Sequence, residues 1–189
     1  MVTASIVLFN TNAEFISTII KCADVSIIEC IYVIDNSATE LLKKIVTPLS
    51  KKIEYINGKG NIGYGAGHNI GLKKAIDVGA NYHIVLNPDI QFEKGVIQSL
   101  VDFVESHDNV GMVMPNVIYP DGREQYLCKL CPTPMDLFGR RLLPKKMIAK
   151  RNENYEMRST GYKDVRNVPC LSGCFMFLNL GILKKIGLF

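Results

Sequence analysis

No stretch of this 189-residue chain approaches the roughly 18 consecutive apolar residues that a membrane-spanning helix needs, so none is expected. The opening residues Met1-Val2-Thr3-Ala4 carry no basic region and no cleavage site, and no secretory signal is expected. Without a signal, the six cysteines read as reduced thiols of a cytoplasmic protein, not as a disulfide framework. No internal repeat and no low-complexity tract is visible. Charge of either sign is modest: the net charge is +4, which gives no reason to expect a nucleic-acid partner. Two nucleotide signatures are also missing. Gly63 and Gly65 are followed by His68 where a dinucleotide fingerprint needs a third glycine, and their loop follows the third apolar run instead of the first. The loop holds no Gly-Lys-Ser or Gly-Lys-Thr step, so it is not a P-loop.

What remains is the composition of a soluble globular domain, 48% hydrophobic and 21% charged, long enough to bury one sizeable core. Its most informative stretch is Tyr82-His83-Ile84-Val85-Leu86-Asn87-Pro88-Asp89. The short β-branched run reads as a strand buried on both faces. Pro88 cannot donate to a ladder and ends it, which holds Asp89 at the strand's carboxyl end. Ligands of open α/β sheets bind there, and a carboxylate in that place can hold a divalent metal. A plain turn at a strand end remains the competing reading.

In order, strands are expected at Ser5 to Phe9, Ile27 to Ile34, Ile53 to Ile56, Tyr82 to Leu86 and Val110 to Met114. Helices are expected between them. The first follows a Thr11/Glu14 capping box and carries Phe15, Ile16, Ile19 and Ile20. The second follows a Ser37/Glu40 box and carries Leu41, Leu42, Ile45 and Val46, with Pro48 past its end. A third runs from about Ala66 to Val78, stopped by Gly79, and a fourth carries Val96, Ile97, Leu100, Val101 and Val104. Such alternation implies βαβ units and a parallel sheet over residues 3–114. Beyond it, 117–123 reads as a hairpin with Asp121-Gly122 at the turn. Residues 128–165 read as irregular, broken by Pro132, Pro134 and Pro144. Val168 to Leu178 reads as an interrupted strand, and Leu180 to Ile186 as a short helix closed by Gly187.

Three strand ends present polar groups: Asn10, Asp35-Asn36-Ser37 and Asn87-Pro88-Asp89. Parallel strands put all three on one rim. One carboxylate could accept from a ribose hydroxyl or a base N–H, and a second could hold the metal that neutralises a diphosphate. Asp35 as a helix N-terminal acid is the alternative.

Ile6 to Asn10, Tyr32 to Ser37, Asn61 to Gly71 and Leu86 to Asp89, in that order, resemble the motifs of family 2 glycosyltransferases, with the rhamnosyltransferase-like branch the nearest in pattern. In that branch Asn-Pro-Asp stands in for the Asp-x-Asp metal motif. Val168 to Met176 resembles the family's small-residue motif on the acceptor side. The resemblance covers nearly the whole chain. It implies an α/β GT-A fold with a mostly parallel central sheet flanked by helices. Residues 1–189 would form a single domain, with a nucleotide-binding half at 1–115 and the start of an acceptor-side half at 116–189.

It further implies an inverting enzyme that takes a sugar, rhamnose or a similar deoxyhexose, from a nucleotide-diphosphate donor to a polysaccharide or lipid-linked acceptor. Phe9 and Asn10 would lie near the base and Asp35 on base or ribose. Asn36, Asn61, Gly63, Gly65, Asn69 and Asn87 would line the same pocket, and Asp89 would bind Mg²⁺ or Mn²⁺. The family continues after Gly187-Leu188-Phe189 with acidic motifs that supply the base. The chain is therefore expected to be truncated, to bind donor, and to transfer poorly. A sugar nucleotidyltransferase is a rival reading, but Phe9-Asn10-Thr11-Asn12 lacks its glycine-rich basic signature. A nucleotide-binding fragment without activity is another.

Residues 138–151 hold six basic residues and no acid, interleaved with Leu142, Leu143, Met147 and Ile148. Such a segment either sits on an anionic membrane surface, at the inner face of the membrane, or is a solvated loop. Cys128, Cys131, Cys170 and Cys174 are read as packed or surface thiols more readily than as a zinc site. His68, His83 and His107 are isolated in sequence and read as ordinary helix, strand and loop residues. The sequence leaves open whether the chain forms a homo-oligomer.

Overall fold

The first apolar run forms β1, Val2–Leu8, buried along almost its whole length. The second forms β2, Ile28–Asp35, and the third β3, Ile53–Asn57. β4, Tyr82–Leu86, is buried from His83 onward, as its β-branched run on a two-sided sheet requires. The computed structural model describes residues 1–57, 60–135 and 144–189, with the side chains of Lys145 and Lys146 also outside the description. Gly58 and Lys59 of the glycine-rich loop, and 136–143 of the basic stretch, therefore lie outside the described residues.

Between the strands run α1, Ala13–Ala23, α2, Lys43–Val46, α3, Tyr64–Asp77, and α4, Val96–Ser106. α1 buries Ile16, Ile19, Ile20 and Ala23, and α4 buries Ile97, Leu100, Val101 and Val104, the stripes expected from their spacing. The cap of α1 differs from expectation. Asn12, not Thr11, is the N-cap, and its Oδ1 accepts from the Glu14 N–H at 2.9 Å. Thr11 turns back to accept from the Phe9 N–H at 3.1 Å.

The second helix is the clearest departure. Only four residues are α-helical, between 3₁₀ turns at Glu40–Leu42 and Thr47–Leu49, and Pro48 lies inside the second turn. Leu41 is 73% exposed, so the apolar face that the spacing suggested is not buried; Val46 is the buried residue of the segment. Ser37 does not cap it, because its hydroxyl is taken by Asn10.

The sheet order is β3-β2-β1-β4-β6-β5. β3, β2, β1 and β4 are parallel neighbours. β6, Phe175–Asn179, then enters antiparallel to β4, and β5, Met112–Val113, pairs antiparallel to β6. Val110 to Met114 therefore contributes two residues at an edge, and the strand beside β4 comes from the far end of the chain. One core cluster joins Tyr32 and Ile34 of β2, Val85 of β4, Leu72 and Ala75 of α3, and Met176 and Leu178 of β6. α6, Leu180–Ile186, adds Leu180 and Leu183 and is closed by Gly187 at φ 99°. Helix α3 lies close against β1: a Cβ on Gly71 would stand 2.7 Å from Ser5 Cβ, and one on Gly67 2.8 Å from Val7 Cγ2.

By contacts the chain forms two units, Met1–Val113 with Gly173–Phe189, and Met114–Ser172. The second unit contains the expected hairpin, with the Tyr119 N–H donating to Arg123 O at 2.7 Å and Gly122 at φ 84°. It also contains a helix where irregular chain was expected: α5, Lys145–Tyr155, with Pro144 at its N-cap. The residues are good helix formers, but they lack an apolar stripe to announce one, and a proline just ahead of a helix starts it without breaking it. No described helix is long and apolar enough to cross a membrane.

Candidate functional site

The carboxyl ends of β1, β2, β3 and β4 share one rim, since these four strands are parallel. β2 and β4 flank β1, which sets their ends about 10 Å apart, two strand spacings. Asp35 closes β2 level with Leu8, and Asp89 follows β4 by three residues. The two carboxylates thus lie on the same edge.

Their surroundings differ. Asp35 has no exposed surface. Its Oδ1 accepts from the Ser37 N–H at 2.9 Å, and its Oδ2 accepts from the Tyr55 hydroxyl. Burial first, then that bond to Asp35, pushes the Tyr55 hydroxyl above the ordinary tyrosine range. Ser37 passes the tie onward, its Oγ accepting from the Asn10 N–H at 2.9 Å. Asn36 is buried, donates from Nδ2 to Gly63 O at 3.1 Å, and keeps an Oδ1 without a partner among the described residues. The end of β1, the end of β2 and the glycine loop are thereby bonded into one rim. Asp89, by contrast, is exposed, as are Asn10 and the half-exposed ring of Phe9.

In the glycine-rich segment, Gly60 and Gly63 have φ of 81° and 86°, conformations that glycine adopts without strain. Asn61 Oδ1 accepts from the Gly63 N–H at 3.1 Å and shapes the turn. Gly65 lies in the first turn of α3, not in the loop, because the helix starts two residues earlier than expected. Asn69, further along α3, is engaged elsewhere: it exchanges two bonds, at 2.7 and 3.1 Å, with the Phe189 backbone.

Asn87 is held by its N–H, which donates to Cys174 O at 2.9 Å. The neighbouring carbonyl, Gly173 O, accepts from the Tyr64 hydroxyl. Tyr64 therefore ties the start of α3 to the small-residue motif. Burial of its hydroxyl end, then the nearby Cys174 and Asp89, raises it above the ordinary tyrosine range. Tyr64 lies inside the Asn61 to Gly71 motif and Tyr55 inside the third expected strand, neither with a role of its own in the sequence. Alternation along β3 could have found Tyr55, which shares a face with Asn57, the partner of Asp35 in the ladder.

The isolated histidines are not isolated in space. His83 Nδ1 pairs with Thr3 Oγ1 at 2.7 Å and its Nε2 with Ser5 Oγ at 2.8 Å; Ser5 Oγ also pairs with His68 Nδ1 at 2.7 Å. The chain of polar groups is buried and ends at His68, whose Nε2 has no partner among the described residues and whose ring meets Tyr64 edge-on at 4.4 Å. Burial holds both imidazoles neutral, with pKa values lowered to about 3. His107 is an ordinary helix-end residue, bonded to Phe103 O at 2.9 Å.

Among the described residues no group of three or more His, Cys, Asp or Glu side chains could hold a metal ion. A lone exposed carboxylate suits one kind of metal site, in which substrate phosphates and water complete the shell. Each unit has a cavity of its own. One of about 290 Å³ sits at the opposite edge, lined by Met1, Val2, Ser26 and Tyr82 among others. One of about 560 Å³ lies in the second unit, beside Tyr126, Lys150 and Arg158.

The family model described as Glycosyl transferase family 2 matches residues 5–187. The low-salt glycan biosynthesis hexosyltransferase Agl10 of Haloferax volcanii is 31% identical over 91 residues, 48% of this chain and 29% of that protein. The mannosyltransferase PcManGT from Pyrobaculum calidifontis, solved in complex with GDP-Man and Mn²⁺, is similar at TM-score 0.62 and 13% identity, over 100% of this chain and 47% of that one. S. aureus TarS is similar at TM-score 0.61 and 15% identity, over 97% of this chain and 29% of that one. At these identities the likeness to solved structures carries the fold, which is GT-A. The chain spans less than half the length of each of these relatives.

Proposed function

From the premise that the chain belongs to glycosyl transferase family 2, we propose that it is the donor-binding part of an inverting, metal-dependent glycosyltransferase. Its donor is a nucleotide-diphosphate hexose or deoxyhexose, with rhamnose one candidate, and its acceptor a saccharide or lipid-linked glycan. One observation carries the reading: Asp35 and Asp89 flank β1 on a single rim, and the end of β1, the end of β2 and the glycine loop are bonded to one another there. The GDP-Man and Mn²⁺ bound by the mannosyltransferase neighbour support a nucleotide-diphosphate sugar and a divalent cation here.

Asp89, exposed beyond the end of β4, would hold Mg²⁺ or Mn²⁺ through its carboxylate, and the cation would supply positive charge against a leaving diphosphate. Phe9, with half its ring surface open, offers an apolar face for the base. Asp35 acts from beneath, fixing Tyr55, Ser37 and through it Asn10, and its burial means that it meets the nucleoside only where the rim opens around it. Asn36, Asn61 and Gly63 hold the loop that closes the pocket's side. The basic stretch 138–151, whose residues up to 143 lie outside the described part, is proposed to rest on anionic lipid headgroups. Sedimentation with anionic vesicles, lost in neutral vesicles or high salt, is the expected result.

The test of the site is calorimetry with a nucleoside diphosphate, with and without Mn²⁺. Wild type binds more tightly with the metal, and Asp89→Ala loses that gain while keeping its metal-free affinity. Metal-dependent binding unchanged by the substitution would remove Asp89 from this role.

A further inference from the structure

The cysteines at 128, 131 and 170 have no role in the donor site proposed above. Cys128 and Cys131 have the spacing of a C-x-x-C motif, yet the backbone aims them apart. Tyr162 Oη accepts from the Cys128 N–H at 2.9 Å and lies 2.9 Å from its carbonyl. Lys129 exchanges two backbone bonds with Cys170, at 2.9 and 3.0 Å, forming an antiparallel bridge. The Leu130 N–H donates to Tyr155 O at 3.0 Å. Successive side chains of an extended segment alternate in side. Cys128 therefore falls on one side, against Tyr162. Lys129 and Cys131 fall on the other, the side of Cys170, where Cys131 is a diagonal cross-strand neighbour. The electrostatic neighbours agree with this division: the Cys131 thiol acts on Cys170, and the Cys128 thiol on the Tyr162 hydroxyl. Cys131 is exposed and Cys170 half-buried.

We propose that Cys131 and Cys170 form an oxidative modification site, a dithiol that exchanges with a low-molecular-weight disulfide of the glutathione class to close an intrachain disulfide. The exposed Cys131 reacts first. Its thiolate attacks the small disulfide, forms a mixed disulfide at Sγ and releases one small thiol. The Cys170 thiolate then attacks the Cys131 sulfur, forms the protein disulfide and releases the second small thiol. The two protein thiols are oxidised, the small disulfide is reduced, and the two protons leave on the two small thiols. The order follows from the environment. Partial burial, then the Cys131 thiol beside it, pushes the Cys170 thiol up. The link would tie the 128–131 segment to the stretch leading into Ser172.

The test is to incubate reduced protein with oxidised glutathione, alkylate the remaining thiols, digest, and map linkages by mass spectrometry. The expected product is a single Cys131–Cys170 peptide pair, two alkylation sites lost, and Cys128 still alkylated. Cys170→Ser is expected to stop at glutathionylated Cys131, and Cys128→Ser to leave the cross-link unchanged. A dominant Cys128–Cys131 link overturns the proposal, as does a stable adduct at Cys131 with Cys170 still alkylatable. In concentrated urea the selectivity is expected to vanish. The same single link in unfolded protein would show that the fold does not select the pair.

Discussion

Asp35 is buried with one oxygen on a backbone N–H and the other on the Tyr55 hydroxyl. Tyr55→Phe keeps the ring and strands that second oxygen in the interior. Leaving a buried acceptor unpaired costs about 1–3 kcal/mol, so the unfolding free energy is expected to fall by that amount, read as a lower urea midpoint with an unchanged slope. Gly71 presents a steric case. A methyl there meets Ser5 Cβ on the central strand, where nothing is a flexible side-chain end. Gly71→Ala gains up to about 1 kcal/mol of helix propensity. It is nevertheless expected to lose about 1–3 kcal/mol by overpacking, and thermal melts read the difference. At this scale the sequence picks out the two carboxylates at the strand ends but not their partners. Pro88 and the strand ends announce Asp35 and Asp89 from local pattern alone. Tyr55 and Ser37 matter only through bonds that the register of β2, β3 and β1 creates.

Among the elements, β1, β4 and α3 share a buried line of polar groups, Thr3, His83, Ser5 and His68, in which both imidazoles are neutral with pKa values lowered to about 3. In the unfolded chain they titrate near the ordinary value of about 6.5. Between these two values the unfolded state holds the extra protons, so stability rises with pH there and is fully present above about pH 6.5. On acidification it falls by at most about 1.4 kcal/mol per pH unit for each histidine. Urea midpoints from pH 7 down to pH 5 measure the slope, and His83→Gln is expected to flatten it. Elements whose apolar residues face a single core were legible in order and type, β1 to β4, α1, α3 and α4 among them. α2 was misjudged because its apolar spacing has no surface to cover: Leu41 and Ile45 stay exposed. α5 was missed for the opposite reason, helix-forming residues with no apolar stripe.

For the whole molecule, the parallel part of the sheet followed from strand and helix alternation, and with it the shared rim of Asp35 and Asp89. The identity of the fifth neighbour did not. Only tertiary pairing tells that Phe175–Asn179 inserts beside β4, since its sequence reads the same whether it lies parallel, antiparallel or at an edge. The metal-dependent gain in nucleoside diphosphate affinity, and its loss in Asp89→Ala, is the prediction that belongs here, because it needs β1, β2 and β4 assembled together.

That inserted strand also bears on how the chain is made. While the ribosome is still reading residues before Phe175, β4 has one side without a neighbour, and Met112–Val113 has nothing to pair with at all. The nascent protein must carry an open, apolar β-edge from the completion of β4 until β6 emerges, a hazard for association with other copies. Slowing translation just upstream of codon 175 should prolong that exposure, and chaperone occupancy on stalled nascent chains should drop once β6 emerges.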